Sequence, residues 1–212
     1  MSTETMEYFS QFPTLAPILD LTNYETVPVW ARIQKPGGED GFFANTLGNE
    51  STIPHCVMLR LKAPTPLSER YQGTSGSARN AGEVALQPPD TIMILELSRP
   101  GVCSHPSTAH GGVVSTILDE AMSHTLLSYF PTEPATVDNT RMTLFTSKLE
   151  VAFKRPVCVP GVLIVKGWCV ETNGRKYWMK ALAVQHEQTG DGVKEVIKSE
   201  GSGIWIKVDS KM

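Results

Sequence analysis

The stretch HPSTAHGGVVSTILDEAMSHTLL, His105 to Leu127, decides how this chain is read. Val113, Val114, Ile117, Leu118, Ala121, Met122, Leu126 and Leu127 recur at i, i+3 and i+4 spacing, which predicts one long helix over 110–128. The apolar stripe is wide, so the helix is expected to be largely enclosed by other structure. Two features do not belong to a helix that only packs. His110, Gly111 and Gly112 stand at its entry, and Asp119 and Glu120 sit among aliphatic residues in its middle. A buried carboxylate is costly unless something holds it or uses it.

The entry and the carboxylates suggest chemistry together. Glycines let a ligand approach the backbone closely. The first-turn N–H groups have no intrahelical partners and favour negative charge in front of them. Such donors can hold the oxyanion that forms when a carbonyl is attacked. Asp119 lies two turns after Gly112 on the same helix face, with Ser115, Thr116 and Ser123 on or near it. A carboxylate there can act as general base on water or as nucleophile. Its alternative is a plain solvent-facing acid. Glu120, about 100° further round, is the rival base. The donors and Asp119 are ~10 Å apart along the axis, too far for one small substrate to touch both. A second subunit presenting its helix antiparallel resolves that geometry.

Outward from the helix, strands are expected on both sides. Downstream, 141–157 places Phe145, Leu149, Val151 and Phe153 on one face by alternation, and 161–172 is apolar on both faces. Asn173-Gly174 reads as a hairpin turn into 176–186. TGDG at 189–192 turns into a last strand over 193–208. Upstream, 54–63 and 91–98 read as strands and 99–109 as a loop. Residues 27–47 read as a connector with aromatic anchors. Residues 3–20 read as one or two short helical pieces interrupted by Pro13 and Pro17. The segment 64–90 is polar and reads as a long mobile loop, and 131–140 as a linker. The sum predicts an α+β fold, with a five- or six-stranded antiparallel sheet around the 110–128 helix. The expected organisation is an N-terminal extension over 1–42 and one domain over 43–208, with 64–90 as an insertion.

Composition narrows the partners. The 212 residues carry a net charge of −3 and no basic stripe, which argues against nucleic acid. No apolar run approaches the ~20 residues of a membrane span. The acidic N-terminus lacks the basic region of a secretory signal, so a cytoplasmic location is expected. Cys56, Cys103, Cys158 and Cys169 show no paired spacing and are expected reduced. A metal on Cys103, His105 and His110 would want a fourth ligand. There is no Gly-x-Ser-x-Gly elbow and no dinucleotide or phosphate-loop glycine pattern. The last residues, Ser210, Lys211 and Met212, resemble the Ser-Lys-Leu peroxisomal address, with an ordinary polar tail as the alternative.

AHGGVVSTILDEAM (109–122) resembles the active-site helix of the hotdog-fold thioesterase superfamily, in its phenylacetate-operon-type and mammalian thioesterase-superfamily-member branches. FTSKLEVAFKRPV (145–157) is similar to that family's next strand. The likeness covers roughly 43–208 and is tightest over 106–156. It implies a hotdog fold, at least dimeric (a homodimer or a dimer of dimers). The implied reaction is hydrolysis of an acyl thioester to an acid and a thiol, with no cofactor beyond coenzyme A as part of the substrate. It further implies that the Gly111 N–H, helped by Gly112, holds the thioester oxygen, and that His110 shapes that pocket. Asp119 of the facing subunit would activate water, with Thr146 orienting it. Ser104 occupies the place where some members carry Asn or Gln, six residues before the histidine. Glu120 is kept as a substrate-side residue. Charge alone nominates Lys154, Arg155 and Arg175 for the phosphates of coenzyme A, against a reading as solvated strand-end residues. Two alternatives stand beside acyl-CoA hydrolysis. One is release of an acyl or polyketide chain from a carrier protein, with 64–90 as a partner surface. The other is a non-catalytic acyl-binding protein, to which Ser104 points.

Overall fold

The computed structural model describes residues 3–35, 37–69, 87–130 and 143–208. The linker 131–140, most of the segment 64–90 and the C-terminal tripeptide lie outside the described residues.

Helix α1 (Thr3–Ser10) is followed by a short helical turn at Pro13–Leu15 and by strand β1 (Tyr24–Val27). Then come β2 (Cys56–Leu61) and β3 (Thr91–Leu97), and a two-stranded hairpin of β4 (Cys103–His105) and β5 (Thr108–Ala109). Helix α2 (Gly111–Leu127) leads into β6 (Thr143–Phe153), β7 (Gly161–Asn173), β8 (Lys176–Thr189) and β9 (Gly192–Val208). The sheet runs β1-β2-β3-β7-β8-β9-β6, antiparallel at every described pairing. It wraps around α2, which is the hotdog fold.

Three expectations are corrected. The described sheet has seven strands rather than five or six. The extra strand is β1, four residues inside the stretch read as an extension, where Tyr24 pairs with Leu61 and Val27 with Met58. A four-residue strand carries too little alternation to be seen. The 99–109 loop contains the β4–β5 hairpin, whose turn holds Ser107 at φ +58°.

The core has two layers. Between the sheet and α2 lie Met58, Met93, Leu95, Leu163, Val165 and Met179, against Val114, Ile117, Leu118, Ala121 and Leu126. On the outer face, Val57, Leu59, Ile92, Ile94, Ile164 and Val184 are roofed by Phe9 and Leu15 of the N-terminal segment. That second layer is why 161–172 is apolar on both faces. Burying Phe9 and Leu15 contributes roughly 1.5–3 kcal/mol each. The helix lies close to the sheet at Gly167, where an added Cβ would come within 2.2 Å of the Thr125 hydroxyl.

Candidate active site

Helix α2 starts where two loops hold its entry. The Ala109 N–H donates to the Val157 carbonyl and the His110 N–H to the Val102 carbonyl. His110 is the N-cap. Its Nδ1 accepts from the Gly112 N–H at 2.9 Å. A Cβ on Gly112 would sit 3.0 Å from that nitrogen, so the imidazole folds over the helix end only because residue 112 is glycine. The Gly112 N–H is therefore occupied by His110 instead of facing a ligand. The Gly111 N–H has no acceptor among the described residues and is the outward donor. A Cβ on Gly111 would meet the Phe153 ring at 3.3 Å, so β6 borders this entrance. Ser115 and Thr116 turn inward on their own helix, donating to the Gly111 and Gly112 carbonyls at 3.0 Å each.

Asp119 is half-buried and faces β6. Its Oδ1 accepts from the Thr146 hydroxyl at 2.9 Å. A bulge makes this contact possible. Thr146 pairs with Trp205, but Lys148 pairs with Ile204, so Ser147 is the extra residue. Thr146 therefore shares the helix-facing side with Leu149, Val151 and Phe153. Simple alternation would have turned it away. The same bulge corrects the expected face of Phe145, which lies on the other side of the strand from Leu149, Val151 and Phe153. The register neighbour Trp205 is fully buried and donates its indole N–H to the Ser123 hydroxyl at 2.8 Å. Burial pushes the Asp119 carboxyl above its ordinary range, and the Thr146 hydrogen bond pulls it partly back.

Glu120 faces the opposite flank. Burial pushes it up to about 7; Asp119 and Asp40 add to the rise and Lys35 opposes it. Lys35 is itself paired with Asp40 and, at 3.5 Å, with Glu39. The connector lying over Glu120 is fixed at two points. His124 Nδ1 donates to the Glu120 carbonyl at 2.9 Å, while Nε2 accepts from the Ala31 N–H at 3.2 Å. Arg32 donates to the carbonyls of Phe43, Leu47, Ile53 and Pro54. Sequence reasoning missed Trp205, Arg32 and the bracing role of His124. The usable signal was weak: a Trp buried in a strand needs a partner for its N–H.

The remaining candidates are scattered. Ser104 is exposed on β4. Lys154 is paired with Glu200 at 3.1 Å. Arg155 follows it, exposed, just beyond β6, whereas Arg175 lies at the β7–β8 turn, beside Lys207, whose N–H donates to its carbonyl. Lys207 pairs with Leu144 near the other end of β6. At ~3.3 Å per residue, Arg175 is about 30 Å from Lys154 and Arg155 within one chain. Cys103, His105 and His110 are not gathered: among the described residues no three His, Cys, Asp or Glu side chains could hold a metal ion. Among those residues no helix is long and apolar enough to cross a membrane.

Residues 107–185 match the family model of the thioesterase superfamily. The chain is 26% identical over 186 residues to verlamelin biosynthesis protein B of a Lecanicillium species, covering 79% of this chain and 75% of that protein. It is also similar to a hypothetical thioesterase protein from Streptococcus pneumoniae TIGR4 solved with coenzyme A, at 13% identity. That match covers 57% of this chain and 83% of the other, with a TM-score of 0.44. The PaaI protein of the phenylacetic acid degradation operon of E. coli is similar at 11% identity over 56% of this chain and 72% of its own, with a TM-score of 0.43. The matched segment begins at the hairpin before His110 and takes in α2, β6, β7 and most of β8, so the likeness to the thioesterase superfamily covers the part of the chain that carries Gly111, Asp119 and Thr146.

Proposed function

We propose that this protein hydrolyses acyl thioesters, with coenzyme A as the thiol, and that Asp119 is the base. The observation that carries this reading is the Thr146–Asp119 hydrogen bond. It fixes a half-buried carboxylate at a helix surface and leaves its second oxygen for water. Water attacks the thioester carbonyl carbon as Asp119 takes its proton. The resulting oxyanion is held by the Gly111 N–H. The tetrahedral intermediate collapses, the C–S bond breaks, and the thiolate leaves with the proton from Asp119. The products are a carboxylic acid and a free thiol.

Gly111 and Asp119 of one helix are eight residues, about 12 Å, apart. A homodimer that sets one Asp119 against the partner's helix entry closes that distance. Edge strand β6 is the place for a second copy. Among the described residues it has β9 as its one strand neighbour, and Phe145 and Phe153 are each 57% exposed on its two faces.

Thiol release from a panel of short, medium, long and aromatic acyl-CoAs tests the proposal. Asp119→Ala should lower kcat by at least ~100-fold, while Glu120→Ala stays within a few-fold of wild type. Equal loss in both variants would make Glu120 a partner in the chemistry. Tight acyl-CoA binding without turnover would favour an acyl-binding protein. A second reading, release from a carrier protein, is favoured by the Lecanicillium relative, by name a biosynthesis protein. Comparing kcat/KM for one acyl group on coenzyme A and on carrier proteins separates the two.

A further inference from the structure

Strands β7 and β8 run as a ladder only as far as Ile164 opposite Val184. Beyond that point Gln185 of β8 is buried and fills the gap with its side chain. Its Oε1 accepts from the Cys158 N–H at 2.8 Å. Its Nε2 donates to the Cys158 carbonyl at 3.0 Å and to the Val162 carbonyl at 3.3 Å. The carboxamide thus meets Cys158 as a neighbouring strand would. Gly161 makes room for it: a Cβ there would come within 3.2 Å of the Cys158 carbonyl oxygen and 3.3 Å of the Gln185 Nε2. The other side of the same segment carries the entry of α2. Cys158 bridges Thr108 of β5, the Ala109 N–H donates to the Val157 carbonyl at 2.9 Å, and the Val159 N–H donates to the Ser107 carbonyl at 3.0 Å. Segment 157–159 is therefore held between β5 on one side and Gln185 on the other.

We propose that Gln185 is a positioning residue for the hydrolysis: it holds Cys158 from behind and thereby fixes the direction of the Gly111 N–H. The inference rests on the reading of Gly111 as the oxyanion donor. That N–H belongs to the peptide joining His110 to Gly111. Two contacts just before it set its orientation, the Ala109 N–H on the Val157 carbonyl and the His110 N–H on the Val102 carbonyl at 2.7 Å. Val102 directly precedes β4 and moves with the hairpin. The Val157 contact ties Ala109 to segment 157–159. The buried side chains of Val157 and Val159 set the depth of that segment, and the Gln185 carboxamide sets its lateral position. Without the carboxamide, the Cys158 N–H and carbonyl lose their partners, and the segment shifts with Ala109 attached. A misplacement of about 1 Å, caused far from the chemistry, can cost about 100-fold in rate. A contact made only in the transition state lowers kcat and kcat/KM together and leaves KM alone.

The test is thiol release from the acyl-CoA of the panel that wild type turns over fastest, measured across pH. Wild type is compared with Gln185→Met, which keeps the length of the side chain and removes its hydrogen bonds. The second variant is Gly161→Ala, which keeps the carboxamide and presses on it. Thermal melts check that both fold. In Gln185→Met, kcat and kcat/KM should fall together by roughly 30- to 100-fold, with KM within about threefold of wild type. Gly161→Ala should lose about three- to tenfold in the same pattern, because its displacement is smaller. The acid limb of kcat/KM, set by Asp119, should stay in place in both. A lowered Tm with unchanged kcat in Gln185→Met makes Gln185 merely structural and overturns the inference. Unchanged kcat in Gly161→Ala does the same where Gln185→Met does not fold. A rise in KM alone, or a shifted acid limb, also overturns it, because the segment then acts on binding or on Asp119. Each of these leaves thioester hydrolysis standing. Absence of wild-type turnover across the panel overturns the inference together with the hydrolase reading beneath it.

Discussion

One hydroxyl governs the carboxylate at the centre of the site. The Thr146 O–H stabilises the ionised form of Asp119, while burial favours the neutral form. Replacing Thr146 with Val keeps the shape and removes the donor. A hydrogen bond to a charged group contributes about 1.5–3 kcal/mol, so kcat should fall by roughly 10- to 100-fold. The pH profile adds a sharper sign. Without the donor the Asp119 pKa rises, so the acid limb of kcat/KM must move to higher pH. A profile that falls in height without moving would mean that Thr146 acts on the substrate and not on Asp119. The glycines at 111 and 112 act differently from each other: one presents its N–H outward, the other makes room for the His110 cap.

Helix α2 carries two neighbouring carboxylates with opposite surroundings. Asp119 opens toward β6, and Glu120 is covered by the connector with Lys35 and Asp40 nearby. Glu120 titrates at about 7 in the folded chain and near 4.5 when unfolded. Below 4.5 both states hold the proton and burial is uncontested. Between 4.5 and about 7 the unfolded chain releases its proton first, so stability falls as pH rises through that window. Glu120→Gln removes the ionisable group. Its Tm should match wild type near pH 4 and exceed it by several degrees at pH 8. A constant difference across that range would locate the effect in packing and not in charge. The connector itself depends on Arg32, which gathers four carbonyls that the irregular backbone of 43–54 leaves without strand partners.

For the whole molecule, the N-terminal segment is structural. Phe9 and Leu15 close the outer face of the sheet, and Tyr8 stacks on His55 at 3.9 Å between centroids. Phe9→Ala should cost about 3–5 kcal/mol in denaturant unfolding. The uncovered face, with Val57, Ile94, Ile164 and Val184 beneath it, should also draw molecules together as concentration rises, visible as larger species in size-exclusion chromatography. An unchanged midpoint would show that the roof is dispensable.

Helix α2 and strands β2, β3, β6, β7, β8 and β9 were legible in the sequence because each repeats its local period over enough residues to stand out. His110, Gly111, Gly112 and Asp119 were legible as a candidate site because residue type and helical spacing place them on one helix. The remaining features depend on contacts between distant parts of the chain. Strand β1 exists because β2 offers it a ladder, and four residues cannot announce that. Thr146 reaches Asp119 because of one extra residue in β6, which is defined only by pairing with β9. Glu120 is shifted because the connector folds over it, and the Gly112 N–H is occupied because a ring two residues away turns back. Periodicity is a property of a segment, so sequence determined the elements and the helix-borne half of the candidate site. Register and burial are properties of segments brought together, and only the tertiary structure decided them.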